Sequence, residues 1–270
     1  MTSKPPKKIL LIFAHPDDET SSCGGTISRY SKLGSEIFVC TATNGNKGDL
    51  GTGDLVLKRE ELGSFRENEE KVVLKFLGAK KVYQLGYDDQ GLELLTESVL
   101  ENQFLDILKK IKPDIVITFG ERGYSGHTDH IETHISATNA FFRYTKVNPK
   151  KKIKLFYTSM PKFFAEFRNM DLSEAEKSPS LAIDISDTWK DKVTALRMYR
   201  SQNDAQEIAK MFESVYSGNY FENFGDAKDQ IISLFDRLKH YGYSTNPTEY
   251  FHQAYPSLKN YNDIVLSKTF

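Results

Sequence analysis

The residues best suited to chemistry lie in the stretch AHPDDE at residues 14–19, directly after the apolar run 9–13. The stretch holds one imidazole and three carboxylates, and carboxylates crowded at the end of a buried strand repel one another and lose hydration. A divalent metal is the simplest compensation, and a histidine beside an aspartate suits zinc or another first-row metal. The same stretch also fits an ordinary polar turn, in which Pro16 fixes the backbone and Asp17 or Asp18 caps the next helix.

A second cluster, GHTDH at residues 126–130, follows another apolar run at residues 115–119. Two clusters of histidine and aspartate after two predicted strands favour a metal site over a pair of unrelated turns. His127 and His130 are three residues apart, so both could ligate a metal if this segment is helical. The sequence pattern does not establish that the two strands are neighbours.

Apolar strand-like runs alternate with amphipathic helical patterns through the first part of the chain. Predicted strands lie at residues 9–13, 36–41, 81–85, 114–119 and 153–157, and predicted helices at 24–33, 57–77, 96–111 and 130–144. This alternation predicts an α/β fold with a Rossmann-like, mainly parallel sheet and helices on both faces. Because ligands bind beyond the carboxyl ends of parallel strands, both clusters should lie at one rim of the sheet.

The pattern weakens beyond residue 160, where we expect an irregular C-terminal extension. Helices are predicted at residues 187–200 and 229–240, whereas residues 203–223 and 242–270 are predicted to be irregular and rich in aromatic side chains. The chain shows no internal repeat and no clear linker, so the sequence predicts one domain.

The composition excludes several classes of function. With 270 residues, of which 39% are hydrophobic and 27% charged, the chain can bury a substantial core. A net charge of −1 gives no electrostatic basis for binding nucleic acid or an anionic membrane, and no phosphate-loop or dinucleotide-binding glycine motif is present. The apolar run 9–13 is far too short for a signal peptide or a membrane span, so we expect a soluble, cytoplasmic protein. The 2 cysteines, Cys23 and Cys40, lack metal-ligand spacing and receive no role.

Further short motifs accompany the two clusters. They are Arg66-x-x-Glu69 with Leu77-Gly78 after it, KVTAL at residues 192–196 with Ser201-Gln202 after it, and Glu249-Tyr250-Phe251. Together with AHPDDE and GHTDH, these motifs resemble those of the PIG-L/LmbE-like family of zinc-dependent deacetylases, which act on N-acetylglucosamine-type substrates. The resemblance spans most of the chain. It implies a single deacetylase domain, 1–270, with a Rossmann-like core at residues 1–160 and a C-terminal part, 161–270, that completes the site.

The resemblance also implies a role for the residues of the two clusters. It makes His15, Asp18 and His130 the ligands of one zinc ion per chain, although the same donors would accept iron or cobalt. Zinc lowers the pKa of its water to about 7, and Asp17 resembles the family's general base for that nucleophile. His127 is left to face the substrate, where it could stabilise an oxyanion or give a proton to the leaving amine.

For two further residues, Asp129 and Arg66, the sequence suggests a functional role and leaves a structural alternative open. Asp129 lies two residues from His127 and could hydrogen-bond its imidazole as part of the catalytic group, or it could cap the following helix. Arg66 could bind a substrate hydroxyl, as the family resemblance implies, or it could form a surface ion pair. Thr128 stands where the family motif has proline, and Ser125 stands where some members have tyrosine.

The two clusters and the resemblance predict a metal-dependent hydrolase that removes the acetyl group from an N-acetylglucosamine-type sugar or glycoconjugate, a small-molecule substrate. An amidase that acts on a thiol-sugar conjugate is the nearest alternative. A non-catalytic, metal-containing sugar-binding module is another, but a purely structural metal would need neither Asp17 nor His127. The sequence leaves open the sugar and its aglycone, the native metal, and whether the chain forms a homo-oligomer.

Overall fold

Strands and helices alternate around one sheet in the computed structural model, which describes residues 8–96, 98–217, 233, 236–257 and 269–270. The strands are β1 (Lys8–Phe13), β2 (Glu36–Thr43), β3 (Lys81–Tyr87), β4 (Ile115–Thr118), β5 (Lys154–Ser159), β6 (Leu181–Asp184) and β7 (Thr248–Tyr255). The helices are α1 (Asp18–Lys32), α2 (Arg59–Phe76), α3 (Val99–Ile111), α4 (Thr128–Val147), α5 (Lys162–Phe167), α6 (Glu174–Lys177), α7 (Trp189–Met198) and α8 (Asn203–Tyr216), with a short 3₁₀ helix at Leu92–Leu94. Among these described helices, none combines the length and the apolar character that a membrane span requires.

The strands lie in the order β3-β2-β1-β4-β5-β7-β6. The pairs from β3 to β5 are all parallel, whereas β7 runs antiparallel to both β5 and β6. The predicted mainly parallel α/β sheet is therefore confirmed. The chain moves outward from β1 to β3 and then returns to add β4 and β5 on the other side of β1. This reversal opens a crevice beyond the carboxyl ends of β1 and β4, which is where the two predicted clusters begin.

Helices cover both faces of the sheet, because the central strands are apolar on both sides. Along β1, Ile9, Leu11 and Phe13 join one apolar core, and Leu10 and Ile12 join the other. The first core also holds side chains from α1, α2, α7 and α8, and the second holds side chains from α3 and α4. The expectation of helices on both faces is confirmed.

The C-terminal part is more regular than the sequence predicts. Residues 203–216 form α8 and residues 248–255 form β7, so the prediction of irregular structure is wrong for both segments. β7 is an inner strand whose backbone pairs with β5 on one side and β6 on the other, and no local pattern reveals such long-range pairing. Of the helix predicted at 229–240, residues 236–240 are helical, and the remainder except residue 233 lies outside the described residues.

Strand β7 also fixes the helix that begins at the first cluster. The Glu249 carboxylate in β7 accepts the backbone N–H groups of Gly25 at 3.0 Å and Thr26 at 2.7 Å in α1, and it pairs with Lys192 Nζ at 2.7 Å. The side chains of Lys192 and Glu249 are each 2% exposed. Removing either partner would leave a buried charge uncompensated, so the pair holds α1, α7 and β7 in one arrangement. The C-terminal part thereby supports the helix whose first residue is Asp18.

Candidate metal centre

The first cluster forms a tight turn between β1 and α1. Asp17 precedes the helix with φ 109° and ψ −25°, a strained left-handed conformation that costs a non-glycine residue about 1–3 kcal/mol. Asp18 is the first residue of α1, and its Oδ2 accepts the His15 backbone N–H at 2.7 Å. The turn sends the two neighbouring carboxylates in different directions, with Asp18 directed back to His15 and Asp17 directed to Arg66.

Three side-chain donors converge where β1 and β4 end. His15 Nδ1 lies 3.0 Å from His130 Nε2 and 3.4 Å from Asp18 Oδ2, and Asp18 Oδ1 lies 3.4 Å from His130 Nε2. His130 reaches this point from the first turn of α4, and Phe119 stacks on its ring at a centroid distance of 4.1 Å. The structure thus brings together the three residues that the sequence predicts as metal ligands. Their role as ligands stays a prediction.

The outer nitrogens of both rings face oxygen atoms that accept hydrogen bonds. His15 Nε2 lies 3.1 Å from Asp89 Oδ1 and 3.3 Å from Asp129 Oδ2, and His130 Nδ1 lies 2.8 Å from the Gly123 carbonyl oxygen. These contacts place an N–H group on each outer nitrogen and leave the inner nitrogens, His15 Nδ1 and His130 Nε2, facing each other. Two ring nitrogens and a carboxylate at this spacing need either a proton, as in a hydrogen bond between His15 Nδ1 and His130 Nε2, or a metal ion between them. The donor set therefore fits a first-row divalent metal.

The surrounding charges also favour a cation at this point. Burial lowers the pKa of His15, but contacts with Asp129, Asp18 and Asp89 outweigh burial and raise that pKa well above its ordinary value. Burial raises the pKa of Asp18, but His130 and His15 outweigh it and bring that pKa well below its usual range. Burial lowers the pKa of His130, against the raising effect of Asp18, and the lowered pKa favours the neutral ring that a metal ligand requires. A divalent ion would replace the proton that the carboxylates otherwise hold on His15.

His127 lies at the more open side of the same cluster. It is the N-cap of α4, where its Nδ1 accepts the Asp129 backbone N–H at 3.1 Å, so Nε2 is the nitrogen available to a substrate. Its side chain is 33% exposed, against 9% for His15 and 11% for His130. Ligand atoms of these three histidines also lie within 4.8 Å of one another, so geometry alone permits His127 as a ligand in place of Asp18. The substrate-facing role of His127 stays a prediction.

The Asp129 carboxylate contacts His15, 3.3 Å from Nε2, and the N–H groups of Gln90 at 2.6 Å and Leu92 at 3.2 Å. The predicted hydrogen bond from this carboxylate to the imidazole of His127 is wrong, because the segment after β3 packs against α4 and supplies other partners. The alternative of a helix cap is also wrong, since His127 itself is the N-cap. Asp129 contacts the cluster through His15, and a catalytic role for it stays a prediction.

Asp89 belongs to the site, although the sequence patterns alone gave it no role. It lies just beyond β3, with Oδ1 3.1 Å from His15 Nε2 and 3.9 Å from His127 Nε2. Burial raises its pKa, but the hydrogen bond and charge of His15 outweigh burial and lower the pKa of Asp89 to about 2. A signal was available in the sequence, because the acidic pair at residues 88–89 follows a predicted strand and therefore belongs to the same rim as the two clusters.

Arg66 lies behind the first cluster and is only 4% exposed. Its Nη2 donates to Asp17 Oδ2 at 2.9 Å and to the Pro16 carbonyl at 2.7 Å, and its Nη1 donates to the Gly45 carbonyl at 2.9 Å. Gly45 has a φ of 64°, and a Cβ there would clash with the guanidinium, so only glycine permits this approach. The alternative of a surface ion pair is wrong, because Arg66 is a buried partner of Asp17. Substrate binding by Arg66 stays a prediction.

Asp17 is held by Arg66 at its side chain and by Glu19 at its backbone. Burial raises the pKa of its carboxyl group well above the ordinary value, against the lowering effect of Arg66. Its backbone N–H donates to Glu19 Oε2 at 3.1 Å, and Glu19 Oε1 accepts the Tyr199 hydroxyl at 2.6 Å. Tyr199 is fully buried and follows α7, so the C-terminal part supports the strained turn through a chain of hydrogen bonds.

A second buried carboxyl group, Glu70, lies one helical turn from Arg66 in α2 and is 0% exposed. It is hydrogen-bonded to the Thr41 hydroxyl and, at 2.6 Å, to Gln84 Nε2. Burial and the nearby Glu19 raise the pKa of Glu70 from 4.5 to about 8, against these hydrogen bonds. The folded protein therefore keeps a proton on Glu70 at pH values where the unfolded chain has released it.

We expect the free energy of unfolding of Glu70→Gln to exceed that of wild type by a difference that grows as pH rises from about 5 to about 8. Because the folded-state pKa is raised, wild type loses stability through this window, by at most about 1.4 kcal/mol per pH unit, whereas an amide does not titrate. Urea unfolding at several pH values measures the difference. Glu60→Gln, at an exposed position of the same helix, is the control. A difference that does not vary with pH would contradict the assignment.

The fold and the site define an α/β protein with a candidate histidine–carboxylate metal centre where the strand order of its sheet reverses. The sequence profile of the PIG-L family, described as GlcNAc-PI de-N-acetylase, matches residues 10–141, which include both clusters. A 1D-myo-inositol 2-acetamido-2-deoxy-alpha-D-glucopyranoside deacetylase from Mycobacterium sp. (strain JLS) is 30% identical over 233 residues, which cover 72% of this chain and 74% of that protein. The chain belongs to the PIG-L family.

Other comparisons set the limits of this likeness. The chain spans about half to two thirds of the length of several other curated relatives that carry the same name. Of the solved structures, N,N'-diacetylchitobiose deacetylase from Pyrococcus horikoshii has a TM-score of 0.60 at 24% identity, and the match covers 92% of this chain and 84% of that protein. GalB, the 4-carboxy-2-hydroxymuconate hydratase from Pseudomonas putida KT2440, has a TM-score of 0.65 at 17% identity, and the match covers 94% of this chain and 98% of that protein. These two likenesses concern the fold alone, which carries a deacetylase in one case and a hydratase in the other.

Proposed function

We propose that this chain is a metal-dependent hydrolase that removes the acetyl group from an N-acetylglucosamine-type sugar or glycoconjugate. The main support is the convergence of His15, His130 and Asp18, with Asp17 next to Asp18 in the turn and the His127 ring packed against that of His15. A metal with a purely structural role needs neither Asp17 nor His127. Structural zinc sites are usually closed by four protein ligands, whereas catalytic sites use three and keep a position open. The name of the curated relatives, deacetylases of an acetamido sugar linked to inositol, supports the substrate class.

The proposed cofactor is one zinc ion per chain, or another first-row divalent metal, held by His15, Asp18 and His130. When bound, such an ion polarises an amide carbonyl and brings the pKa of a coordinated water near neutrality. Asp89 and Asp129 accept hydrogen bonds from the outer nitrogen of His15 and so keep its inner nitrogen directed at the ion.

In this proposal the protein groups divide the proton transfers between them. Asp17 accepts a proton from the water that attacks the acetyl carbonyl carbon, and Arg66 holds its carboxylate in place. As the new C–O bond forms, the carbonyl oxygen gains negative charge, and His127 Nε2 stabilises it with a hydrogen bond. The C–N bond then breaks as Asp17 or His127 gives a proton to the amine nitrogen. The products are acetate and the free amino sugar.

The proposal is tested by measuring primary amine and acetate released from a panel that includes N-acetylglucosaminyl-inositol, diacetylchitobiose and a thiol-sugar amide. We expect equal amounts of amine and acetate from at least one N-acetyl sugar, with activity lost after chelation and restored by zinc. Sugar binding without amine release would favour the non-catalytic module. Amine release from the thiol-sugar amide alone would favour the amidase.

A further inference from the structure

Glu176 lies in α6, far along the chain from both clusters, yet its side chain is 0% exposed. Its carboxylate reaches the loop between β4 and α4, where Oε1 accepts the Tyr124 N–H at 2.9 Å and Oε2 accepts the Arg122 N–H at 3.1 Å. Oε2 also accepts the N–H of Ser173, the N-cap of α6, at 2.9 Å. Both carboxylate oxygens are therefore engaged by backbone N–H groups, which form strong hydrogen bonds to an anion.

The two loop contacts of Glu176 flank Gly123, whose carbonyl oxygen lies 2.8 Å from His130 Nδ1. The Ser125 hydroxyl also lies 3.0 Å from Nδ1, but a hydroxyl can donate or accept, so it is the carbonyl, which can only accept, that places the proton on Nδ1. Gly123 and Tyr124 both have left-handed backbones, with φ of 61° and 62°, and this conformation costs a residue such as Tyr124 about 1–2 kcal/mol. The loop therefore needs support from its surroundings, and Glu176 supplies it on both sides of the Gly123 carbonyl.

Glu176 is itself held by a rigid frame. Its backbone carbonyl accepts the Met160 N–H and the Ser159 hydroxyl, each at 2.8 Å, which ties it to the end of β5. Gly120 leaves room for the side chain, because a Cβ at that position would clash with Glu176 Cγ. β5 pairs with β4, the strand that leads into the loop, so the anchor and the loop are parts of one sheet.

We propose that Glu176 is a positioning residue for the metal ligand His130. By holding the N–H groups on both sides of Gly123, it keeps the Gly123 carbonyl against His130 Nδ1. The other nitrogen of that ring, Nε2, then presents its lone pair to the proposed metal site that it shares with His15 and Asp18. Partners of a histidine's outer nitrogen fix its tautomer and orientation in metal sites. The proposal rests on the metal centre of the proposed function, and it holds whichever amide is hydrolysed.

The test is Glu176→Gln in the full chain. Glutamine keeps the shape, but one terminal oxygen becomes an NH₂ group, which meets a loop N–H and cannot accept from it. We expect the zinc dissociation constant, measured by competition with a chromophoric chelator, to rise about 10- to 100-fold. In the metal-free protein, ¹⁵N NMR of the imidazoles should report a mixture of His130 tautomers in place of the Nδ1–H form.

The matched control is Glu174→Gln in the same helix, whose carboxylate is 70% exposed and paired with Lys177. This control should leave the zinc affinity and the His130 tautomer unchanged. A folded Glu176→Gln variant with wild-type affinity and a pure Nδ1–H tautomer would overturn the proposal, as would a lower unfolding midpoint without any change in tautomer.

A second variant keeps the proposal testable if Glu176→Gln does not fold. Gly120→Ala displaces the Glu176 side chain by a direct clash, and the same two measurements apply to it. The tautomer measurement needs neither metal nor substrate. Failure of the proposed deacetylation would instead appear as zinc-loaded wild type that releases no amine, so the two failures are distinguishable.

Discussion

Replacing Asp17 with asparagine should lower the turnover number about 100-fold or more while the protein keeps its metal, since general base catalysis contributes roughly 10²–10⁴-fold. Asparagine retains the shape of aspartate but cannot accept a proton. Asp17 lies 2.9 Å from Arg66, whereas Asp18 lies 3.4 Å from the facing nitrogens of both His15 and His130. Metal content should therefore depend on Asp18, and the proton transfer on Asp17.

The matched comparison is Asp18→Asn, with the same chemical change at the next residue. Zinc content and the kcat and KM for amine release are measured for both variants, and added zinc should partly restore only Asp18→Asn. Since Asp17→Asn leaves the buried Arg66 without its carboxylate, the unfolding midpoint is measured as well, and kinetics are taken well below it. If excess zinc rescued Asp17→Asn while Asp18→Asn stayed inactive with metal bound, the two assignments would have to be exchanged.

The parallel half of the sheet could be predicted because its signals are local. The strands β1, β2, β4 and β5 are apolar runs buried on both faces, and the helices between them have amphipathic patterns. The rule that ligands bind beyond the carboxyl ends of such strands placed the two clusters at one rim. The reversal of strand order between β1 and β4, which makes them neighbours, is a property of the whole topology and could not be read from either strand.

Long-range contacts account for what the sequence did not predict. β7 is defined by its pairing with β5 and β6, and Tyr199 supports Glu19 from 180 residues away along the chain. Asp17 adopts a left-handed backbone without being glycine, which happens only when surrounding contacts impose it. Such features depend on the assembled fold.

The roles of Asp129 and Asp89 show how proximity in sequence can mislead. Asp129 is two residues from His127, but residues at that spacing do not face each other on a helix, and its carboxylate reaches His15 instead. Asp89 is distant in sequence from both clusters and shares His15 Nε2 with Asp129. The position of Asp89 just beyond the carboxyl end of β3 would have predicted its place in the site, because the carboxyl ends of parallel strands lie at the same rim of the sheet.

Zinc binding by four histidine-to-alanine variants, one of them a control, should distinguish the metal ligands from the other histidines near the centre. We expect His15→Ala and His130→Ala to lose most of the metal and His127→Ala to keep it. The facing nitrogens of His15 and His130 are 3.0 Å apart, whereas the Nδ1 of His127 is held by a backbone N–H and its side chain is 33% exposed. Losing a ligand should weaken zinc binding by more than the roughly 10- to 100-fold that loss of an outer partner costs.

The control for these variants is His134→Ala, one helical turn beyond His130 in α4. His134 is buried, and its Nδ1 lies 2.9 Å from the Phe119 carbonyl, so its removal should leave zinc binding intact. Competition with a chelator gives the four dissociation constants. The alternative donor group of His15, His127 and His130 predicts equal metal loss from His127→Ala and His130→Ala, and that result would assign His127 to the metal. Full occupancy in His15→Ala would remove His15 from the centre, because its Nδ1 would then be dispensable to the ion.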